Sequence, residues 1–163
     1  MKSCYRLISI FLLICLPFQC TNYSSKRLNT VPPILISITK ISIGHKITIR
    51  AGNPEVLFIG YKLYKGTTSN EARNAADLTS GQDCEGGLKL PPNQPLEYVA
   101  IVGQELEKLD GNDVTGQNVV CYYRISLQSN EYIAMRSVLL SIQLINTSNA
   151  ISVSAPSNAL IVP

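Results

Sequence analysis

ITIRA at residues 47–51 and FIGYKLYK at residues 58–65 place apolar side chains at alternate positions. A period of two is typical of β-strands, in which successive side chains point to opposite faces of the sheet. The Gly-Asn-Pro sequence at 52–54 separates the two stretches, as turn residues do. We therefore predict two strands, whose inward faces carry Ile47, Ile49 and Ala51 on the first and Ile59, Tyr61 and Leu63 on the second.

Similar stretches occur on both sides of this pair. Gly44-His45 is predicted to form a turn, and residues 71–78 a single helical turn. Because no long helices separate the apolar stretches, the pattern favours an all-β antiparallel sandwich with long loop insertions. The remaining strands are predicted at 34–43 with a bulge at Thr39-Lys40, and at 97–102, 119–127, 138–144, 151–154 and 159–162.

The composition fits a single folded domain. The 163-residue chain is 45% apolar and 15% charged, and this length is typical of one domain. The charged fraction is below the usual value of about 25%. Basic residues are not clustered, so the composition argues against a disordered chain and against a nucleic-acid-binding protein.

The first twenty residues form a separate unit. Lys2 and Arg6 precede an apolar run at 7–16. This run is short for a membrane-spanning helix and matches the apolar core of a signal peptide. The sequence LPFQC at 16–20 then resembles the cleavage box of bacterial lipoproteins, in particular the looser boxes of spirochaetes.

This resemblance implies a lipoprotein signal peptide at 1–19 and a lipid on Cys20. A flexible tether over 20–31 would then lead into the sandwich domain at 32–163. The protein is expected to be exported to the bacterial cell envelope, at the outer membrane or cell surface, with the membrane as a partner through the lipid anchor. The alternative is an ordinary secretory peptide that is cleaved nearby and leaves Cys20 unmodified.

The cysteine count supports an exported protein. On the lipoprotein interpretation, Cys4 and Cys15 would be removed with the signal peptide and Cys20 would be acylated. Cys84 and Cys121 remain as an even pair, which predicts a disulfide in an oxidising compartment. The alternative is a redox or metal-binding pair, although neither a CxxC motif nor a nearby histidine supports it.

Three segments resemble fibronectin type III domains. ITIRA at 47–51 and GYKLYKG at 60–66 are similar to the second and third strands of bacterial members, and SAPSN followed by ALIV at 154–162 is similar to their last strand. The resemblance implies an immunoglobulin-like or fibronectin III-like sandwich. Two features depart from it: Ala51 occupies the family's tryptophan position, and residues 67–118 form a longer segment.

Few residues are available for catalysis. His45 is the only histidine, no nucleophile-elbow motif is present, and a polar turn position is predicted for it. We therefore predict that the protein is not an enzyme and uses no cofactor. Asp110 and Asp113 could offer oxygen ligands to Ca²⁺. However, the segment lacks the EF-hand pattern and is typical of a solvated loop.

Binding is predicted at the loops and at outward tyrosines. Residues 66–118 contain nine acidic and three basic residues, a net charge of −6, which would attract basic partners or divalent cations. Tyr64 and Tyr122 are predicted to point outward, and tyrosine is enriched at binding hot spots. Together with Asp110 and Asp113, they are candidate contacts for a protein or glycan partner. The alternative function is a structural envelope lipoprotein without an external ligand.

Overall fold

A computed structural model of the chain describes residues 31–52, 58–85, 96–108, 118–140 and 151–163. The predicted signal peptide, Cys20, residues 20–30 of the tether, Asp110 and Asp113 all lie outside these ranges. The described part contains one short helix, α1 (Ser69–Arg73), and 3-10 turns at Leu78–Ser80 and Leu106–Lys108. Its strands are β1 (Ile34–Ile41), β2 (Gly44–Ala51), β3 (Phe58–Gly66), β4 (Gln82–Asp83), β5 (Leu96–Val102), β6 (Val119–Tyr123), β7 (Tyr132–Leu140), β8 (Ile151–Val153) and β9 (Leu160–Ile161).

The strands form two sheets that share one core. Sheet A has the order β1-β2-β5-β6, and sheet B has the order β4-β3-β7-β8, with β9 also paired to β7. The predicted all-β sandwich is therefore confirmed. The buried core between the sheets draws on Ile47, Ile49, Ala100 and Tyr123 from sheet A and on Tyr61, Leu63, Ile133 and Met135 from sheet B.

One pairing departs from the predicted antiparallel arrangement. Strand β6 runs parallel to β5, with Ala100 opposite Cys121 and Val102 opposite Tyr123. A parallel neighbour needs a long return connection, because the chain must travel back along the sheet before it can pair again. The segment between the two strands, residues 103–118, is long enough to make that return.

The cysteine pair links the two sheets at one side of the sandwich. Cys84 follows the edge strand of sheet B, and Cys121 lies on the edge strand of sheet A. Their sulfur atoms are at disulfide-bonding distance, with Cα atoms 5.2 Å apart, as the sequence predicts. The next residue, Glu85, exchanges backbone hydrogen bonds with Tyr122 at 2.9 and 3.2 Å. Residues 82–85 therefore pair with β3 in one sheet and with β6 in the other.

The C-terminal segment between β8 and β9 keeps its contact with β7 through serine side chains. Pro156 has no N–H to give to a strand ladder. The Ser154 and Ser157 hydroxyls instead accept hydrogen bonds from the backbone N–H groups of Ser137 and Met135, each at 2.9 Å. The backbone N–H groups of the same two serines donate in return to the carbonyl oxygens of Ser137 and Met135.

Two predictions at the start of the domain are wrong. The bulge in β1 lies between Leu35 and Ser37 rather than at Thr39-Lys40. The turn after β1 is formed by residues 42–43, so that Gly44 and His45 already belong to β2. The physical reason is that β2 begins three residues before the predicted start at Ile47 and pairs with the end of β5, where His45 lies opposite Val102.

Two further differences concern which side chains face the core. Ile59 is 48% exposed, because a register shift between Phe58 and Gly60 turns Phe58 toward the core in its place. Strand β7 begins at Tyr132, well before the predicted 138. It lacks clear alternation because both of its faces are covered, one by the core and one by α1, where Ala72 and Ala134 are fully buried.

In the described residues, no helix has the length and apolar character needed to cross a membrane.

Candidate functional site

A shallow pocket of about 200 Å³ opens at one end of the sandwich. The β1–β2 turn, the segment after β5 and the segment after β6 meet there. Its apolar lining consists of Ile43, Val102, Ile125 and Leu127, and its polar lining consists of His45, Gln104, Glu105 and Ser126. Gly44 and Gly103 complete it. The pocket is therefore a mixed polar and aliphatic depression above the end of the core.

Two glycines let the backbone segments under the pocket approach closely. Gly44 has a φ of 154°, and a Cβ at this position would lie 2.1 Å from the carbonyl oxygen of Val102. A Cβ on Gly103 would lie 2.5 Å from the carbonyl oxygen of Ile43. A side chain at either position would therefore push the turn away from the end of β5 and change the shape of the pocket.

His45 is the most buried polar side chain of the pocket. It was predicted to be a polar turn residue, but it lies in β2 on the inward stripe that continues through Ile47, Ile49 and Ala51, and it is only 8% exposed. Burial is the main cause that lowers the pKa of His45, and the charge of Lys40 lowers it further. The imidazole is therefore neutral at pH 7.

Within the described residues, no group donates a hydrogen bond to the His45 ring or accepts one from it. Neither ring nitrogen is among the fully buried atoms without a partner, which in the described residues are Tyr98 Oη and Arg136 Nε, so both reach solvent. The ring lines the pocket, so its unused nitrogen atoms lie beside a concave surface that a ligand could occupy.

The other polar groups of the pocket differ in the hydrogen bonds and ion pairs that they already form. Glu105 forms an ion pair with Lys108 at 2.9 Å. Ser126 accepts a hydrogen bond from Lys65 Nζ at its carbonyl oxygen (3.1 Å) and one from the Gln128 amide at its hydroxyl (3.3 Å). Among the described residues, nothing accepts the proton of the Ser126 hydroxyl, and neither the donor nor the acceptor of the exposed Gln104 amide is in use.

The predicted tyrosine contacts fall into two cases. Tyr64 does point away from the core, but it is only 4% exposed, so the prediction that it is an accessible contact is wrong. The segment after β3 covers it, and the Tyr64 hydroxyl donates to the carbonyl oxygen of Leu78 at 2.8 Å. The guanidinium of Arg136, on β7, lies 5.7 Å from the Tyr64 ring centre. Tyr122 lies on β6, is partly exposed, and stays a candidate contact.

The acidic residues of 66–118 are largely used inside the fold. Glu71 caps the start of α1 by accepting from the Thr67 hydroxyl and N–H, and these bonds lower its pKa. Asp77 accepts from Thr79 in the same way, which lowers the pKa of Asp77. The others with a described partner form the ion pairs Lys62–Asp83, Arg50–Glu97, Lys108–Glu105, Arg124–Glu85 and Arg124–Glu107.

Arg124 joins the two long insertions. Its Nε donates to Glu85 at 2.9 Å, and a terminal guanidinium nitrogen donates to Glu107 at 3.3 Å. Hydrogen bonds to these carboxylates and their negative charges raise the pKa of Arg124. One carboxylate follows β4 and the other follows β5, so a single guanidinium offsets charge from both segments.

In the ranges that the structure describes, no three His, Cys, Asp or Glu side chains are grouped closely enough to hold a metal ion. The pocket was not predicted from the sequence, and only one of its polar residues could have been identified from the sequence pattern. Extending the alternation of β2 back from Ile47 leads to His45. Gln104, Glu105 and Ser126 reach the pocket only because β5 and β6 end side by side.

No family model, curated protein or solved structure matches this chain.

Proposed function

We propose that this protein is an exported, lipid-anchored β-sandwich that binds a protein or glycan partner at the cell envelope. The observation that carries the binding role is the pocket lined by the His45 ring, which has no hydrogen-bond partner among the described residues. Structural residues in a small sandwich normally have their polar atoms satisfied within the fold. A polar group left open toward a concave surface favours recognition over a purely structural role.

The strand order supports an immunoglobulin-like or fibronectin III-like type. In the seven-stranded form of that fold the first, second, fourth and fifth strands share one sheet, and the third strand shares the other sheet with the last two. Strands β1, β2 and β5 follow the first rule. Strands β3, β7 and the β8–β9 segment follow the second, with β4 added beside β3. The additional parallel strand β6 distinguishes this chain from the standard arrangement.

The proposed location in the cell envelope rests on the sequence and on the cysteine pair. The lipoprotein-like signal ending at Cys20 supports export and anchoring. The pairing of Cys84 with Cys121 supports an oxidising compartment, because disulfides persist there and are rare in the cytosol. We expect Cys20→Ala to release the protein from membranes or to leave the precursor uncleaved. Unchanged membrane partitioning, or a failure to incorporate labelled palmitate in the wild type, would contradict the anchor.

The binding role is tested by blocking the pocket. Gln104 is exposed at its mouth, so Gln104→Trp should cover it without disturbing the core. Asn74→Trp provides a matched control, since Asn74 is also exposed but follows α1, the helix that packs on sheet B. We expect partner capture from envelope extracts to be lost in the first variant and kept in the second. Equal capture by both variants would show that the pocket plays no part.

The alternative, a structural envelope lipoprotein, is favoured by the internal use of the acidic residues. Carboxylates held by Thr67, Thr79 and the arginine and lysine partners leave little free charge for a ligand. Protease treatment of intact cells separates the two roles, because only an outward-facing domain is cut. Protection from protease, together with capture that does not depend on the pocket, would favour the structural role.

A further inference from the structure

We propose that the pocket holds one neutral saccharide unit, whose hydroxyl groups hydrogen-bond to His45 and to the polar side chains around it. This inference rests on the proposed binding function and names the ligand class. The argument uses the size of the pocket, the open valences of His45, the charge balance and the aliphatic walls.

Size limits the ligand to a small group. A volume of about 200 Å³ is below the range of roughly 300–1,000 Å³ that is typical of sites for drug-sized molecules. The pocket is also open at the end of the sandwich, so a single ring can enter while the rest of a chain continues outside. This geometry fits a terminal or side-branch unit of a glycan.

The His45 ring determines which hydrogen-bonding groups the saccharide unit must carry. A neutral imidazole has one N–H donor and one acceptor nitrogen, and neither is used by the described residues. Neither nitrogen is among the fully buried atoms that lack a partner, so both are accessible to a ligand. A hydroxyl group both donates and accepts, so neighbouring sugar hydroxyls satisfy the ring and can also reach the Ser126 hydroxyl and the Gln104 amide.

Charge argues against an ionic ligand. The Glu105 carboxylate is offset by Lys108, and the His45 ring is neutral. An anionic ligand would meet the carboxylate of Glu105, and a cationic ligand would meet the charge of Lys40, which lies opposite His45 in the β1–β2 ladder. The pocket therefore has hydrogen-bonding capacity without a net charge that would select an ion.

Aliphatic walls complete the match. Ile43, Val102, Ile125 and Leu127 line the same depression. A pyranose ring presents C–H groups on its faces and hydroxyls at its edge, so one face can lie on aliphatic side chains while the edge meets the polar groups. Burying those C–H groups removes apolar surface from water and adds to binding.

The experiment uses the fact that His45 is the only histidine in the chain. With a tag that contains no histidine, the imidazole nitrogen and carbon NMR signals belong to one residue. The probes are the methyl glycosides of glucose, galactose, mannose and N-acetylglucosamine, with sodium acetate, inorganic phosphate and lysine amide as charged comparisons. We expect at least one neutral glycoside to shift the His45 ring signals in a saturable way, with weak affinity in the range of about 1 mM.

Variants link the shift to the pocket. Ser126→Ala should weaken binding roughly 3- to 10-fold, the value of one net hydrogen bond. Ser129→Ala, on the nearby exposed turn, should leave it unchanged. His45→Phe keeps a ring of similar size and should abolish binding. If that variant fails to fold, the wild-type ring signals and the Ser126→Ala affinity still decide the matter.

Two results would overturn the inference. One is that no neutral glycoside perturbs the His45 signals, and the other is that only a charged probe does. The proposed function fails separately: if Gln104→Trp loses a captured partner while no glycoside binds, the protein is a binding module for something other than a saccharide. If neither test responds, both proposals are wrong.

Discussion

The Asn158 side-chain amide binds both backbone groups of Leu35. Its Oδ1 accepts from the Leu35 N–H at 2.9 Å, and its Nδ2 donates to the Leu35 carbonyl oxygen at 2.9 Å. Leu35 lies on β1, the edge strand of sheet A, whereas Asn158 belongs to the segment that runs along sheet B. A single side chain therefore pairs with an edge strand as a neighbouring backbone would, and it joins the two sheets on the side opposite the disulfide.

We expect Asn158→Ala to lower the free energy of unfolding by about 1–3 kcal/mol, because two hydrogen bonds to a partly buried edge are lost. Asn158→Asp should be at least as harmful, since a carboxylate would face the Leu35 carbonyl oxygen. Urea denaturation measures both. Asn74→Ala removes an exposed asparagine with one local hydrogen bond and serves as the control. Equal stability of the Asn158→Ala and Asn74→Ala variants would refute the role of this contact.

The resemblance predicted strands in this region, but not the side-chain hydrogen bonds that hold them in place. The SAPSN segment resembled a last strand, and β8 and β9 do lie where strands were predicted. Local pattern could not reveal that Ser154, Ser157 and Asn158 replace the backbone pairing that Pro156 interrupts. Such substitutions depend on which backbone atoms lie opposite, and this is fixed only when β7 and β1 are in place.

Reduction or removal of the disulfide should destabilise the protein by about 4 kcal/mol in the chain-entropy model, given the separation of 37 residues. Cys121→Ser should be more harmful than Cys84→Ser, because Cys121 is fully buried and its replacement places a hydroxyl in the core. Denaturation of both variants measures the difference. Mass spectrometry of unreduced peptides checks the linkage itself, and two free thiols in native protein would contradict it.

The pH dependence of stability should reflect His45. Its pKa in the folded protein is below the ordinary value of 6.5, because burial and Lys40 oppose protonation. Its stabilising contribution is therefore complete above pH 6.5 and is lost as the pH falls through the folded pKa. Denaturation midpoints measured between neutral and mildly acidic pH should fall more in the wild type than in His45→Gln. Parallel curves for the two proteins would show that the ring does not titrate in this way.

The glycines under the pocket should tolerate no side chain. Gly44→Ala combines a positive φ with a contact to the Val102 carbonyl oxygen, so we expect a loss of about 3 kcal/mol or more. Gly103→Ala should also be destabilising, through the Ile43 carbonyl oxygen. Gln104→Ala, at the exposed neighbouring position, should stay within about 0.5 kcal/mol of the wild type. Thermal unfolding compares the three, and a stable Gly44→Ala protein would contradict the close approach.

The strands differ in how well their sequences predict them. Strand β2 alternates clearly because one of its faces packs on the core while Arg50 and its neighbours face outward. Strand β7 is covered on both faces, so its start at Tyr132 has no period-two signal. The pocket could not be predicted at all, because the parallel pairing of β6 with β5 brings Ser126 beside Gln104 across a long intervening segment.

The contact between Asn158 and Leu35 also determines how the domain would bear a mechanical load. A pull on the chain from its amino-terminal side enters the sandwich at Val31, whose carbonyl oxygen accepts a hydrogen bond from the Ser137 hydroxyl at 2.7 Å. Four residues later the chain is held by Asn158. Both attachments belong to the half of the molecule that contains β7, whereas β1 is paired within the other half. Tension at this point is therefore shared between both layers before the first strand can peel away from its neighbour.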